Sequence, residues 1–379
     1  MRQLGLLRKT INNIDVNIAR VFIPWAVKNP RYLRSFYRLK KTYNSSTKVR
    51  KIKREEGIRI PPFLILSVTS ECNLNCIGCY ASAVGTTSCP SNIKTGSSNQ
   101  SLTWDQWYDI IRQGCNLGIF GFVIAGGEPL LYPRCLEFCK EFKDRFFIIF
   151  TNGTILNDID YKLLKKLGNV AVIVSIEGDK KITDLRRSRG VYDKAMNSLV
   201  QLNKIGVING ISVTITRNNY RYWMDEKPID DLINKGIRVG VFIEHIPTSK
   251  KIDDLSLMLE EKERQIFREK MLYYRENKSI YIVHSPGDEE YFGGCVSAGR
   301  GFAHITPTGD LTPCPISNIA THNLTRTSLY EGLQSKLFQI IRENEQLLET
   351  KGMPCALFAH AKEVDLLAKK VGAYRTNDE

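Results

Sequence analysis

Three cysteines stand within eight residues, in Cys72-Asn-Leu-Asn-Cys76-Ile-Gly-Cys79-Tyr80. Three residues separate the first pair of thiols and two separate the second. A loop this short lets three thiolates converge on one soft metal centre. Three is one fewer than closes a structural zinc site or a cubane cluster, so a coordination position is left for another molecule. CxxxCxxC is not one of the common paired zinc spacings. The spacing favours a redox cluster, with zinc its rival at this point.

Other residues with chemical potential stand where short apolar runs end. Gly126-Gly127-Glu128-Pro129 follows one such run, Thr151-Asn152-Gly153-Thr154 a second and Ser175-Ile176-Glu177-Gly178 a third. Thr214 and Thr216 precede Arg217-Asn218-Asn219, and Glu244-His245 closes another run. Paired glycines admit close approach of the backbone, and a Glu-Pro step stiffens the exit from a turn. Singly these are ordinary turns. Several of them on the same rim as a three-thiol loop describe a site.

The elements that must hold them alternate in type. Strands are expected over 58–69, 120–125, 146–150, 170–176, 211–215 and 238–243, with helices near 132–143, 158–167, 192–205 and 229–234 between them. Thr103 with Gln106 forms a capping box that opens a helix to about Asn116. Strand–helix alternation means βαβ units and parallel pairing, and six units suit an α/β fold of the partial (β/α)6, TIM-like barrel type. Ligands in such folds collect at the carboxyl ends of the strands, where these residues fall.

The 379 residues are 42% hydrophobic and 25% charged, ordinary for a globular protein. The net charge of +14 is uneven: residues 1–60 carry 16 Lys and Arg against 3 Asp and Glu, and the remainder is nearly neutral. Leu6, Leu7, Ile11, Ile14, Ile18, Phe22 and Trp25 recur at helical spacing there, with Pro24 and Pro30 expected to divide the helices and Lys48–Arg54 to form a charged linker. Two uses of this segment remain open: peripheral contact of residues 1–50 with an anionic membrane surface, or helices packed on the body with a solvated basic face. No nucleic-acid module is recognisable. Ten cysteines, partly clustered and without a signal peptide, point to a reducing cytoplasm. Three segments are expected: a basic helical extension and linker (1–57), the barrel (58–284) and a small cysteine-bearing module (285–379).

The order CxxxCxxC, GGEP, TNGT and Ser-Ile-Glu-Gly after four successive strands resembles the radical S-adenosylmethionine (SAM) superfamily over roughly 60–245. That resemblance implies that Cys72, Cys76 and Cys79 hold a [4Fe-4S] cluster whose fourth iron binds SAM. It implies that Gly126, Gly127 and Glu128 hold the methionine amino group. Asn152, Ser175 and Glu177 match positions near the ribose or methionine, and Arg187 matches an arginine that pairs with the methionine carboxylate. Gly78 departs from the pattern, since many members carry an aromatic residue there, and Tyr80 offers a ring on the other side of Cys79.

Cys295, Gly309 and Cys314, with Cys355 further on, resemble the SPASM and twitch extensions that hold auxiliary clusters, the shorter twitch type fitting better. Cys89 is one candidate for a fourth ligand. Cys115, Cys135 and Cys139 read as small buried residues, and no catalytic role is assigned to Glu244, His245, His284, Asp288, Glu289 or His304. The resemblance implies an oxidoreductase or modifying enzyme fed by a reductant such as flavodoxin or ferredoxin. Its substrate would be a peptide, a cofactor precursor or a lipid. The competing reading is a cluster- or zinc-bearing structural or sensory protein without turnover.

Overall fold

The computed structural model describes residues 17–87, 101–247 and 255–376. The chain divides into two compact units. The first comprises Met1–Arg34, Asn152–Lys165 and Ala171–Gly293, and the second Ser35–Thr151, Lys166–Val170 and Gly294–Glu379.

In the second unit β1 (Phe63–Ser67) pairs in parallel with β2 (Gly121–Ala125), and β2 in parallel with β3 (Phe146–Thr151). Pro61 and Pro62 precede Phe63 and bring no N–H, so the ladder begins only after them. On one face Leu64, Leu66, Phe122, Ile124, Phe147 and Ile149 are essentially fully buried. The helix Trp104–Asn116 adds Trp107, Ile110 and Ile111 to the buried set, and its capping box between Thr103 and Gln106 is formed as the sequence indicated. β1 also gains a neighbour from far along the chain. β8 (Phe302–Ile305) pairs with it in parallel, and β9 (Leu311–Thr312) turns back antiparallel on β8.

In the first unit β4 (Val170–Ser175), β5 (Ile208–Ile215), β6 (Val239–Glu244) and β7 (Tyr281–Ser285) form successive parallel pairs. β7 extends the alternation beyond the six strands expected. Trp223, Phe242, Phe267 and Tyr274 build the apolar layer between these strands and the helices Tyr220–Met224 and Glu261–Asn277. The fold is α/β with parallel strands, as the alternating pattern required. β10 (Ile319–Ala320) and β11 (Tyr374–Arg375) add a small antiparallel pair near the end of the chain.

The basic segment departs from expectation in two places. The helix at 17–28 runs through Pro24. Lys48–Arg54, read as a linker, lies within the helix Leu33–Glu55. Lys and Arg are good helix formers, and this stretch is anchored: Leu39 and Ser46 are buried, the Arg50 guanidinium donates to the Gly118 carbonyl, and the Tyr43 ring meets Phe120 edge-on at 5.3 Å. Residues 17–28 are anchored too, since Asn17 Nδ2 donates to the Arg275 carbonyl at 2.6 Å. Among the described residues no helix is long and apolar enough to cross a membrane.

Candidate functional site

The three-thiol loop leaves the end of β1, and its root is tied to the exit of β2. Val68 N–H donates to the Ala125 carbonyl (3.0 Å), Gly127 N–H to Thr69 (2.8 Å) and Glu128 N–H to Glu71 (2.7 Å). This pairing explains the double glycine. Gly126 has φ +138°, and a β-carbon there would lie 2.5 Å from the Thr69 carbonyl oxygen; one on Gly127 would lie 2.0 Å from that of Glu71. The close approach that two glycines permit is therefore to the root of the cysteine loop itself. Glu128, buried, works as a brace. Its carboxylate accepts from Leu130 N–H (3.1 Å) at the turn Pro129–Leu131 and from the Thr151 hydroxyl (2.7 Å) at the end of β3.

Cys72, Cys76 and Cys79 are half-buried. Gly78 turns the chain with φ +66°, and Cys79 stands in extended conformation at the start of the short helix Tyr80–Ala83. Tyr80 shows 38% of its surface to solvent, and desolvation raises the phenol's pKa, with smaller contributions from Cys79 and Cys314. Among the described residues no three Cys, His, Asp or Glu side chains form a group that could hold a single metal ion. The loop's fit to an iron–sulfur cluster rests on its donor set: three soft thiol ligands with accessible surface on one turn.

The C-terminal cysteines occupy the same unit. Cys295, Cys314 and Cys355 are all buried. Cys295 packs with Leu348 and Ala356, and its N–H donates to the Leu348 carbonyl (2.9 Å). Burial raises the Cys314 thiol pKa well above its usual range, and Cys355 and Cys295 add to the rise. Those three thiols are thus electrostatic neighbours. Backbone N–H groups of Ile316 and Ser317 oppose the shift by favouring the thiolate of Cys314. Three buried thiols are an expensive place for negative charge unless a cation compensates, which is the donor chemistry of a soft metal cluster. Cys89 lies outside the described residues. Cys135 and Cys139 are buried as expected, and Cys115 is half-buried.

In the first unit Glu177 is the centre of a charged knot. It is 1% exposed. Its Oε1 receives the guanidinium groups of both Arg186 and Arg187, the latter at 2.7 Å, and its Oε2 accepts from Thr214 N–H at 3.1 Å. The Glu177 carbonyl accepts from Asn219 Nδ2 (3.0 Å) and Trp223 Nε1 (3.1 Å). The sequence matched Arg187 to an arginine for the methionine carboxylate; the ion pairs of Arg186 and Arg187 with Glu177 are not among its expectations. Asn152 is buried and turns its own loop, accepting from Thr154 N–H (2.9 Å) and the Thr154 hydroxyl (2.6 Å). Ser175 ends β4 half-buried, opposite Ser212 of β5.

Of the polar residues given no role, Glu244, His284 and Asp288 are held in ion-paired networks. Glu244 joins Arg264 to His284, whose Nε2 lies 3.0 Å from its carboxylate. Both carboxylate oxygens of Asp288 accept from Arg275 Nη2 (2.8 and 2.7 Å), and Oδ2 also accepts from the His284 N–H. Neither network has a signal in the spacing of the sequence, since each joins residues of separate elements.

Residues 66–249 match the family model of the Radical SAM superfamily. A Radical SAM domain is thus found over that stretch of the chain. Two curated relatives are similar over part of their length. The sporulation killing factor maturation protein SkfB of Bacillus subtilis (strain 168) is 27% identical over 187 residues, 48% of this chain and 42% of the relative. Fe-coproporphyrin III synthase of Methanosarcina barkeri is 28% identical over 178 residues, 46% of this chain and 41% of the relative. The chain therefore spans less than half the length of these two. Among solved structures, Streptococcus suis SuiB bound to its precursor peptide SuiA shares the fold with a TM-score of 0.62 and 18% identity, covering 83% of this chain and 74% of that one.

Proposed function

We propose that this protein is a radical SAM enzyme that reductively cleaves SAM and abstracts hydrogen from a peptide substrate, with a second cluster at Cys295, Cys314 and Cys355. The observation that carries the reading is the three-thiol loop rooted at the end of β1 and locked to the Gly126-Gly127-Glu128 turn by paired backbone hydrogen bonds. A bound [4Fe-4S] cluster would supply the electron that breaks the sulfonium C–S bond of SAM, giving methionine and a 5′-deoxyadenosyl radical. The chain's own part is to bind and orient. Cys72, Cys76 and Cys79 would hold the cluster, and the Gly126–Glu128 backbone would present polar groups to the methionine end. Arg187, held on Glu177 at 2.7 Å, would pair with the methionine carboxylate, a task its planar guanidinium suits. Asn152 and Ser175, at strand ends, would serve the ribose.

A peptide substrate is supported by the relatives: SkfB is named for maturation of a killing factor, and SuiB was solved with a precursor peptide. Fe-coproporphyrin III synthase keeps a cofactor precursor as the rival substrate class. Electrons would come from a flavodoxin- or ferredoxin-type donor in the cytoplasm. Contact with an anionic membrane has one observation in its favour. Exposed Arg34, Tyr37, Lys41, Lys48 and Lys51 follow one another at steps of three, four, seven and three residues along one stripe of the helix Leu33–Glu55.

The test is anaerobic reconstitution followed by dithionite and SAM. 5′-Deoxyadenosine should form, and Cys76→Ser should abolish it; no product from fully loaded protein would leave a cluster-bearing protein without turnover. About eight irons per chain support both clusters, and about four would remove the second. Sedimentation with phosphatidylserine vesicles at low and high salt tests the membrane contact, which salt-independent or absent binding would exclude.

A further inference from the structure

We propose that Ser67, His304 and Thr312 form a one-way hydrogen-bond relay that fixes the Cys314 turn, which makes His304 and Thr312 positioning residues for the second cluster. The inference rests on the reading above that Cys314 is a cluster ligand. His304 lies on β8, opposite Ile65 of β1 on one side and Thr312 of β9 on the other. Ser67 is 4%, His304 1% and Thr312 0% exposed. The Ser67 hydroxyl is 2.8 Å from His304 Nε2, His304 Nδ1 is 2.8 Å from the Thr312 hydroxyl, and that hydroxyl donates to the Cys314 carbonyl at 3.1 Å.

The direction follows from counting hydrogens. A carbonyl only accepts, so the single Thr312 hydrogen goes to Cys314, and the Thr312 oxygen must accept from His304 Nδ1–H. Burial lowers the His304 pKa to about 3, so the ring is neutral and carries one hydrogen. Nε2 is then an acceptor and Ser67 its donor. With the Thr312 hydrogen on the Cys314 carbonyl, the whole chain runs in that one direction. The same Cys314 carbonyl accepts from Ser317 N–H (3.1 Å), and Ala298 N–H donates to Pro313 (2.9 Å), so the turn is held on both flanks. The far end of the relay is the last residue of β1, five residues before Cys72. One buried chain therefore joins the roots of the two cysteine sites.

The experiment compares Thr312→Val, which keeps the shape and removes the hydroxyl, with Thr312→Ser, which keeps the hydroxyl. Two readouts are taken: iron per chain with the midpoint potential of each cluster, and the rate of Cys314 alkylation by iodoacetamide in the apo protein, followed by mass spectrometry. Thr312→Val should lose iron toward about four per chain and alkylate Cys314 about tenfold faster, the loss of one buried hydrogen bond. Thr312→Ser should match the parent in both. Parental iron, potentials and alkylation in Thr312→Val would overturn the relay. If the parent itself holds only about four irons, the second-cluster reading fails, and alkylation alone still decides whether the relay fixes the turn. If Thr312→Val does not fold, Ser67→Ala replaces it with the same alkylation readout, and an unchanged rate there overturns the proposal.

Discussion

Glu177→Gln separates a structural centre from a ligand contact. The carboxylate takes two guanidinium groups on Oε1 and a backbone N–H on Oε2, and the arginine side chains are only 18% and 11% exposed. An amide has one acceptor where the carboxylate has two. One of its ends must then present N–H groups either to the two guanidiniums or to Thr214 N–H. Breaking a buried ion pair from one side typically costs 3–5 kcal/mol, because the partner charge stays behind. Some freedom for the arginines to reach water argues for the lower end, about 3 kcal/mol. For a cooperative unit of roughly 150–250 residues that corresponds to a fall in Tm of about 6–12 °C. The measurement is thermal unfolding of the apo protein followed by circular dichroism. Combining Glu177→Gln with Arg187→Gln should recover part of the loss, a non-additivity expected of contacting charges. If the single variant melts within about 1 °C of the parent while SAM binding to the reconstituted protein is lost, Glu177 acts through the ligand alone and the argument from burial is wrong.

Three further outcomes are expected. Gly127→Ala forces the β2 exit off the Glu71 carbonyl, which stands 2.0 Å from the new β-carbon, so iron at Cys72, Cys76 and Cys79 should fall while iron elsewhere is kept; undiminished total iron would contradict this. Burial depresses the His304 pKa to about 3 in the fold, against the ordinary histidine value of about 6.5. The unfolded chain therefore binds the extra proton between those values, stability falls as pH drops below about 6.5, and the loss from pH 7 to 5 is about 2 kcal/mol. Urea unfolding should show this loss shrinking in His304→Gln, and an identical pH slope would refute the assignment. Glu244→Gln should destabilise the apo protein by about 3 kcal/mol by stranding the Arg264 charge, read as a lower urea midpoint; an unchanged midpoint would show that water already carries that charge.

What the sequence makes legible is local. The capping box at Thr103 and Gln106, the strand ends carrying CxxxCxxC, GGEP and TNGT, and the burial of Cys135 and Cys139 all follow from spacing over a few residues. The long-range choices are not written that way. Lys48–Arg54 reads as linker because its helix is stabilised by contacts with Gly118 and Phe120, which no helical period announces. The GGEP glycines read as a ligand cradle, yet the first demand on them comes from Thr69 and Glu71. Arg186 pairs across nine residues and Ser67 reaches His304 across 237, separations at which pattern carries no information.

The placement of β8 beside β1 has a consequence for biosynthesis. β1 is made before the other described strands, yet one of its two edges stays unpaired until Phe302–Ile305 has been synthesised. Through most of translation the backbone of Phe63–Ser67 is an open, apolar edge of the kind that recruits foreign strands. Pro61 and Pro62 guard its start by withholding two amide donors. A nascent chain cut short before residue 302 would keep that edge for good, so C-terminal truncations should aggregate rather than fold as smaller active domains. The last quarter of the chain thus acts on the root of the first cysteine loop as an intramolecular chaperone that never leaves.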